Sequence, residues 1–162
     1  MEKIDNLDRK ILNIIMRNAR IPSKDIAEEC GVSRAAIHQR IARLMELGVI
    51  TGSGYKVDLH KLGLNTCTYV GVRLERGSMY REVVHEFEKI PEVVECHYTT
   101  GPYSMLIKVI AADTQDLMEL LNNKIQNIQG VIETETLISL EQSIFREIQI
   151  KMVPGKKGRH NL

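Results

Sequence analysis

The side chains that could do bond-making chemistry in this sequence are not arranged for it. Cys30, Cys67 and Cys96 are far apart and each sits beside apolar residues. They read as reduced core thiols of a cytoplasmic protein rather than a disulfide framework or a metal site. There is no CxxC, and His85-Glu86-Phe87-Glu88-Lys89 breaks HExxH at its last position. Gly52-Ser53-Gly54 is a GxG fragment without a third glycine or a following helix. No acid–base pair, no nucleophile beside a base and no metal-ligand cluster stands out, so no catalytic residue, cofactor or metal is expected. Recognition chemistry is better served. Ser33, Arg34, Ala35, His38, Gln39, Arg40 and Arg43 fall close together, with Lys56 a little further on. A glutamine can pair with an adenine edge, and an arginine with a guanine edge or a phosphate. Small residues permit close approach to a groove floor, and a serine beside first-turn N–H groups anchors phosphate.

Those residues need elements to carry them. Leu7, Ile11, Ile14 and Ile15 fall at helical spacing, with Asp5 or Asn6 as N-cap and an end near Asn18. A short second helix starts at Pro22-Ser23, with Ser23 as cap and Gly31 as stop. Ser33 caps a third helix from about Arg34 to Leu47, its inner face Ile37, Ile41 and Leu44, with Gly48 just past its end. This spacing predicts a helix–turn–helix with Arg43 and Gln39 facing outward. Val49 to Asp58, broken by Gly52-Ser53-Gly54, predicts a two-stranded wing.

Beyond residue 64 the period becomes two. Strands are expected around Val70–Leu74, Val94–Tyr98, Met105–Val109 and Val131–Leu140, with a fifth through Ile148, Ile150 and Met152. Met79, Val83, Phe87 and Ile90 make one helix stripe, and Leu117, Leu120, Leu121, Ile125 and Ile128 another. The order β-α-β-β-α-β is ferredoxin-like, so the expected class is α+β. The expected division is a winged helix–turn–helix over 1–58, a linker over 59–64, a ferredoxin-like domain over 65–153 and a basic tail over 154–162.

The chain has 162 residues, 43% hydrophobic and 27% charged, which supports packed cores and argues against global disorder. No run of about 18 apolar residues suggests a membrane span, and the N-terminus lacks the apolar stretch of a secretory signal. The net charge of +1 conceals a division. Residues 1–62 carry 11 basic and 8 acidic side chains, 63–153 carry 8 and 13, and 154–162 carry 3 basic ones, Lys156, Lys157 and Arg159. A basic head on an acidic body suits double-stranded DNA, because phosphates attract the first and repel the second.

Several segments carry a family resemblance: Leu7-Asp8-Arg9-Lys10-Ile11-Leu12, Ile26 to Ser33, Ile37 to Leu44, Leu47-Gly48-Val49-Ile50, Thr100-Gly101-Pro102-Tyr103 and Gly130 to Thr136. In order and spacing, from about residue 4 to 152, the sequence resembles the Lrp/AsnC family, the leucine-responsive or feast/famine regulators. The resemblance implies a winged helix–turn–helix and a ligand-sensing βαββαβ (RAM-type) domain that dimerises and assembles to tetramers or octamers. It implies a small effector, usually an amino acid, held between dimers. Carried over, its lining is Thr100, Gly101, Tyr103 and Ser104, with Thr134 and Thr136 opposite. The family loop commonly reads Gly-x-Tyr-Asp. Here Ser104 takes the aspartate's place, and a hydroxyl offers no counter-charge to a ligand ammonium.

The expectation is therefore a cytoplasmic, sequence-specific transcriptional regulator tuned by an amino acid, and not an enzyme. The alternatives are an effector-independent architectural DNA-binding protein and a small ferredoxin-like enzyme.

Overall fold

The computed structural model describes residues 4–154, so the basic side chains of the expected tail lie outside the described residues. The chain parts into two units: residues 4–55 together with 144–154, and Lys56–Ser143.

The first unit is built on three helices, α1 (Asn6–Arg17), α2 (Ser23–Cys30) and α3 (Arg34–Glu46). Asp5 caps α1 reciprocally: its carboxylate accepts the Asp8 N–H at 2.8 Å, and the Asp8 carboxylate accepts the Asp5 N–H at 3.0 Å. That satisfies two donors a helix start would otherwise leave open. Helix α2 corrects one expectation, since Pro22 occupies its N-cap and Ser23 is already helical, with no side-chain cap bond. Gly31, at φ 68°, ends it in the left-handed region that glycine tolerates best. The Ser33 Oγ accepts the Ala36 N–H at 3.2 Å and fixes the start of α3. Ile11, Ile14, Ile26, Ala27 and Ile37 form the buried centre of this unit. Leu44 on α3 is also fully buried. Each of these isoleucine and leucine side chains contributes about 1.5–3 kcal/mol by leaving water.

The expected wing and the expected fifth strand are not formed. Residues 51–57 run without strand pairing among the described residues, so no two-stranded wing is present. The alternating Ile148, Ile150 and Met152 do not join the sheet either. Residues 144–153 belong to the first unit, where an extended segment lies along α1. The Asn13 side chain donates to the Ile150 carbonyl and accepts the Ile150 N–H, both at 2.8 Å. Asn6 treats Val153 the same way, at 2.9 and 2.8 Å, and Arg9 donates to the Lys151 carbonyl at 3.1 Å. The spacing explains the match. Seven residues of helix rise about 10.5 Å, and three residues of extended chain span about 10 Å. Two amides on one helix face thus replace a neighbouring strand, while the side chain of Ile148 stays 81% exposed.

The second unit has strands β1 (Thr66–Leu74), β2 (Val93–Tyr98), β3 (Met105–Ala111) and β4 (Val131–Ile138) in the order β2-β3-β1-β4, every neighbouring pair antiparallel. Helices α4 (Tyr80–Glu88) and α5 (Thr114–Leu120) supply the apolar stripes that cover one face. Val70, Val72, Met105, Ile107 and Val109 bury against Val83, Phe87, Leu117, Leu120 and Ile125. Helix α5 does not continue as one α-helix but widens into a π turn over Leu121–Ile125, closed by Gln126 N–H to Leu121 carbonyl at 2.9 Å. Leu120 and Ile125 are five apart, which at 100° per residue would point them in different directions. The wider turn brings Ile125 back into the core, fully buried.

Candidate nucleic-acid interface and effector site

In the first unit the outward face of α3 consists of Ala35, His38, Gln39, Ala42 and Glu46, all exposed, with Arg34 on its flank. The side chains of Arg34, His38 and Gln39 make no hydrogen bond or ion pair with any other described residue. Ile37 and Leu44 on the buried side hold this face in place.

Arg43, expected to face outward, turns back onto α1, where Arg40 from the flank of α3 joins it. Arg40 Nη1 donates to Asp5 Oδ2 at 2.7 Å and to Asp8 Oδ1 at 2.8 Å, and Arg43 Nη2 donates to Asp8 Oδ2 at 2.7 Å. Asp8 is 0% exposed, while the two arginine side chains keep 30% and 34% of their surface. Burial alone would raise the Asp5 carboxyl. The Arg40 guanidinium and the Asp8 N–H outweigh it and hold that carboxyl below its ordinary value. The pairing with Asp5 and then Asp8 makes Arg40 still harder to deprotonate. Asp8, as the buried partner of these arginines, is a functional neighbour that sequence reasoning missed. Lys56 falls in the second unit. Arg20 stacks on the exposed ring of Tyr55 at 4.2 Å.

In the second unit Gly101, at φ 111°, turns the chain between β2 and β3. Thr99 N–H donates to the Ser104 carbonyl and Thr99 Oγ1 to the Tyr103 carbonyl, both at 3.0 Å. Ser104 N–H donates to the Val72 carbonyl at 2.9 Å, and the Ser104 hydroxyl accepts the Leu74 N–H at 3.1 Å. The serine therefore extends the ladder onto β1, and its hydroxyl already has a partner. Thr100 and Gly101 are exposed at the tip.

The Tyr103 ring lies across Gly71 on the sheet face away from the helices, and its hydroxyl donates to Glu135. That bond is the main reason the phenol is pushed above its ordinary value. Arg73 and Glu133 pair at 3.2 Å beside it. Thr134 and Thr136 stand opposite Val72 and Val70, so they occupy the helix-side face instead. Thr134 Oγ1 accepts from Gln126 Nε2 at 2.9 Å beside a recess of about 320 Å³ lined also by Val131 and Ile132. Within one chain, then, Tyr103 meets Glu135 and not the two threonines. The expected set is divided by the alternation of β4, and Gln126 is the neighbour that sequence reasoning missed. Burial pushes the Cys96 and Cys30 thiols up, away from nucleophilic thiolate. Among the described residues no helix is long and apolar enough to cross a membrane.

Residues 1–55 and 144–162 carry 14 basic and 8 acidic side chains, and 56–143 carry 8 and 13. A basic helix–turn–helix with an open polar face, joined to an acidic βαββαβ unit, defines a class: a DNA-binding head coupled to a ligand-sensing domain. The comparisons agree with this. Residues 67–147 match the family model for the Lrp/AsnC ligand binding domain, and residues 4–51 match that for a winged helix-turn-helix DNA-binding domain. The chain belongs to the Lrp/AsnC family of transcriptional regulators. It is 39% identical to the regulatory protein AsnC of Haemophilus influenzae over 149 residues, covering 92% of this chain and 99% of that one. The structure of Escherichia coli AsnC superposes with a TM-score of 0.88 at 39% identity, covering 92% of this chain and all of that one. A transcriptional regulator from Neisseria meningitidis in complex with L-Met shares the fold, with a TM-score of 0.86 at 17% identity over 92% of this chain and 97% of that one.

Proposed function

We propose that the outward face of α3 reads base edges in a major groove and that an amino acid bound by the second unit tunes the result. The observation that carries this is the buttressed face itself. Gln39 projects without a partner among the described residues, between Ala35 and Ala42, two small residues that let the helix approach the base edges. Gln39 suits an adenine edge. Ser33, Arg34 and the first-turn N–H groups of α3 suit phosphates, which position the helix without specifying sequence. Two heads in a homodimer would read two half-sites, and higher assembly would bend the duplex between them. An effector works here only by binding one assembly state better than another. The Neisseria regulator's L-Met supports an amino acid as the effector class. Thr100 and Gly101 at the exposed tip, and Thr134 and Thr136 on the helix side, are the candidate contacts. We place the protein in the cytoplasm, as a regulator and not an enzyme.

The test uses a duplex selected by this protein from a random pool and an unselected random duplex. Gln39→Ala is expected to weaken binding to the selected duplex by ~1–3 kcal/mol and to leave random binding nearly unchanged. Equal loss on both would assign α3 a phosphate role only. One observation favours a second reading, an architectural protein without effector. Ser104, where the family carries aspartate, spends its hydroxyl on Leu74 and brings no charge. Titrating single amino acids separates the two: absence of heat and of any change in assembly mass across all of them selects the second.

A further inference from the structure

A buried carboxylate is an expensive way to finish a helix cap. Asp5 already accepts the Asp8 N–H, and that bond needs only the Asp8 main chain. Yet the Asp8 side chain is 0% exposed and spends both oxygens on arginines of another helix. Apolar packing in place of a buried ion pair is often neutral or stabilising, so stability alone is a weak reason for this arrangement. What the carboxylate does achieve is restraint. Arg43 stands one helical turn from Gln39, and Arg40 directly follows Gln39, so both cations border the exposed face of α3. Unrestrained, two long basic side chains at the rim of such a face would pair with any phosphate in reach, whatever the sequence. In the structure each lies against a carboxylate at 2.7–2.8 Å, with about a third of its surface still open.

We propose that Asp8 is a positioning residue for DNA specificity, withholding Arg40 and Arg43 from indiscriminate phosphate pairing. The inference rests on the DNA-binding reading above. Its signature is a specificity ratio and a salt slope, which a merely structural carboxylate would not move in this direction. Each phosphate contact adds ~0.9 to the slope of log K against log salt. Asp8→Asn keeps the shape and one acceptor oxygen, removes the charge, and presents an amide N–H to one of the guanidinium groups. With one or both arginines released, binding to an unselected random duplex should tighten. Its salt slope should steepen by ~1–2, and the preference for a selected duplex should fall by about tenfold or more.

Asp8→Asn with Arg43→Gln should restore the wild-type slope to within about half a unit. Should Asp8→Asn fail to fold, Arg43→Gln alone remains decisive. A withheld arginine can be removed with the random-duplex slope unchanged, whereas one already on phosphate lowers the slope by ~0.9 and overturns the proposal. An unchanged slope and ratio in well-folded Asp8→Asn overturns it as well. Wild-type protein that binds neither duplex would sink the DNA-binding reading itself, and this inference with it.

Discussion

Gly71 sits in the middle of β1, and a Cβ built there would come within 2.6–2.7 Å of three atoms of the Tyr103 ring. Carbon pairs settle at about 3.5–4.0 Å, so Gly71→Ala asks the ring to withdraw by about 1 Å. The atoms met are at the root of the ring, and the backbone below it is tied. Ser104 N–H holds the Val72 carbonyl at 2.9 Å, and the Tyr103 carbonyl holds Thr99 Oγ1 at 3.0 Å. Such overpacking costs about 1–3 kcal/mol, against which a strand alanine recovers roughly 0.5–1 kcal/mol over glycine. The net expectation is a loss of about 1–2 kcal/mol. In a Tyr103→Ala background the space is empty, and the same glycine substitution should be neutral or stabilising by up to about 1 kcal/mol. Urea titration at fixed protein concentration measures both. The chain has no tryptophan, and Tyr69, Tyr80 and Tyr98 remain in this unit as emission probes after Tyr103 is removed. With a slope of about 2 kcal/mol per molar, the midpoint of Gly71→Ala should fall by about 0.5–1 M. A cycle whose two arms agree within about 0.5 kcal/mol would show that the ring does not lie on Gly71.

Asn13→Ala removes both hydrogen bonds to Ile150, each contributing about 0.5–1.5 kcal/mol. Hydrogen exchange at the Ile150 amide should then speed by about 5- to 150-fold, and an unchanged rate would refute the side-chain ladder on α1. Leu44→Ala should cost the first unit about 2–5 kcal/mol through the cavity it leaves, whereas Gln39→Ala should stay within about 0.5 kcal/mol of wild type. Thermal melts distinguish the two. The Lys108 ammonium, bonded at 3.1 Å, is the main cause holding the Glu95 carboxyl below its ordinary value of 4.5, with His97 adding a smaller share. Because the folded value is depressed, the stabilisation is complete above pH 4.5 and is lost as pH falls through the folded value. Glu95→Gln should therefore flatten the melting temperature against pH in that acidic window. Parallel curves for the two proteins would exclude the contribution.

Most elements were legible because burial leaves a period in the sequence. Ile37 and Leu44 announced the inner side of α3, and Val70 with Val72 that of β1. Alternation reports an extended backbone but not its partner. Ile148, Ile150 and Met152 fit an edge strand and equally fit a segment paired with asparagine side chains, as found. The same limit divides the effector set, because β4 sorts Thr134 from Glu135 without saying which face the Tyr103 ring takes. The one local hint was a glycine inside a strand, where close approach is a standing reason for glycine. Arg43 misled for another reason. A helical wheel gives the direction in which a side chain leaves the backbone. It does not give the reach that returns a guanidinium to a carboxylate 35 residues away.

The segment on α1 changes what the second unit is to the first. The chain leaves the first unit after residue 55 and re-enters it at 144. In that sense the βαββαβ unit is an insertion within the helical unit and not an appendage at its end. A single cut within 51–57 would leave the two pieces joined through 144–153 by the Asn6, Arg9 and Asn13 bonds. Proteolytic nicking and separation then become two distinct events, the second requiring those side chains to let go.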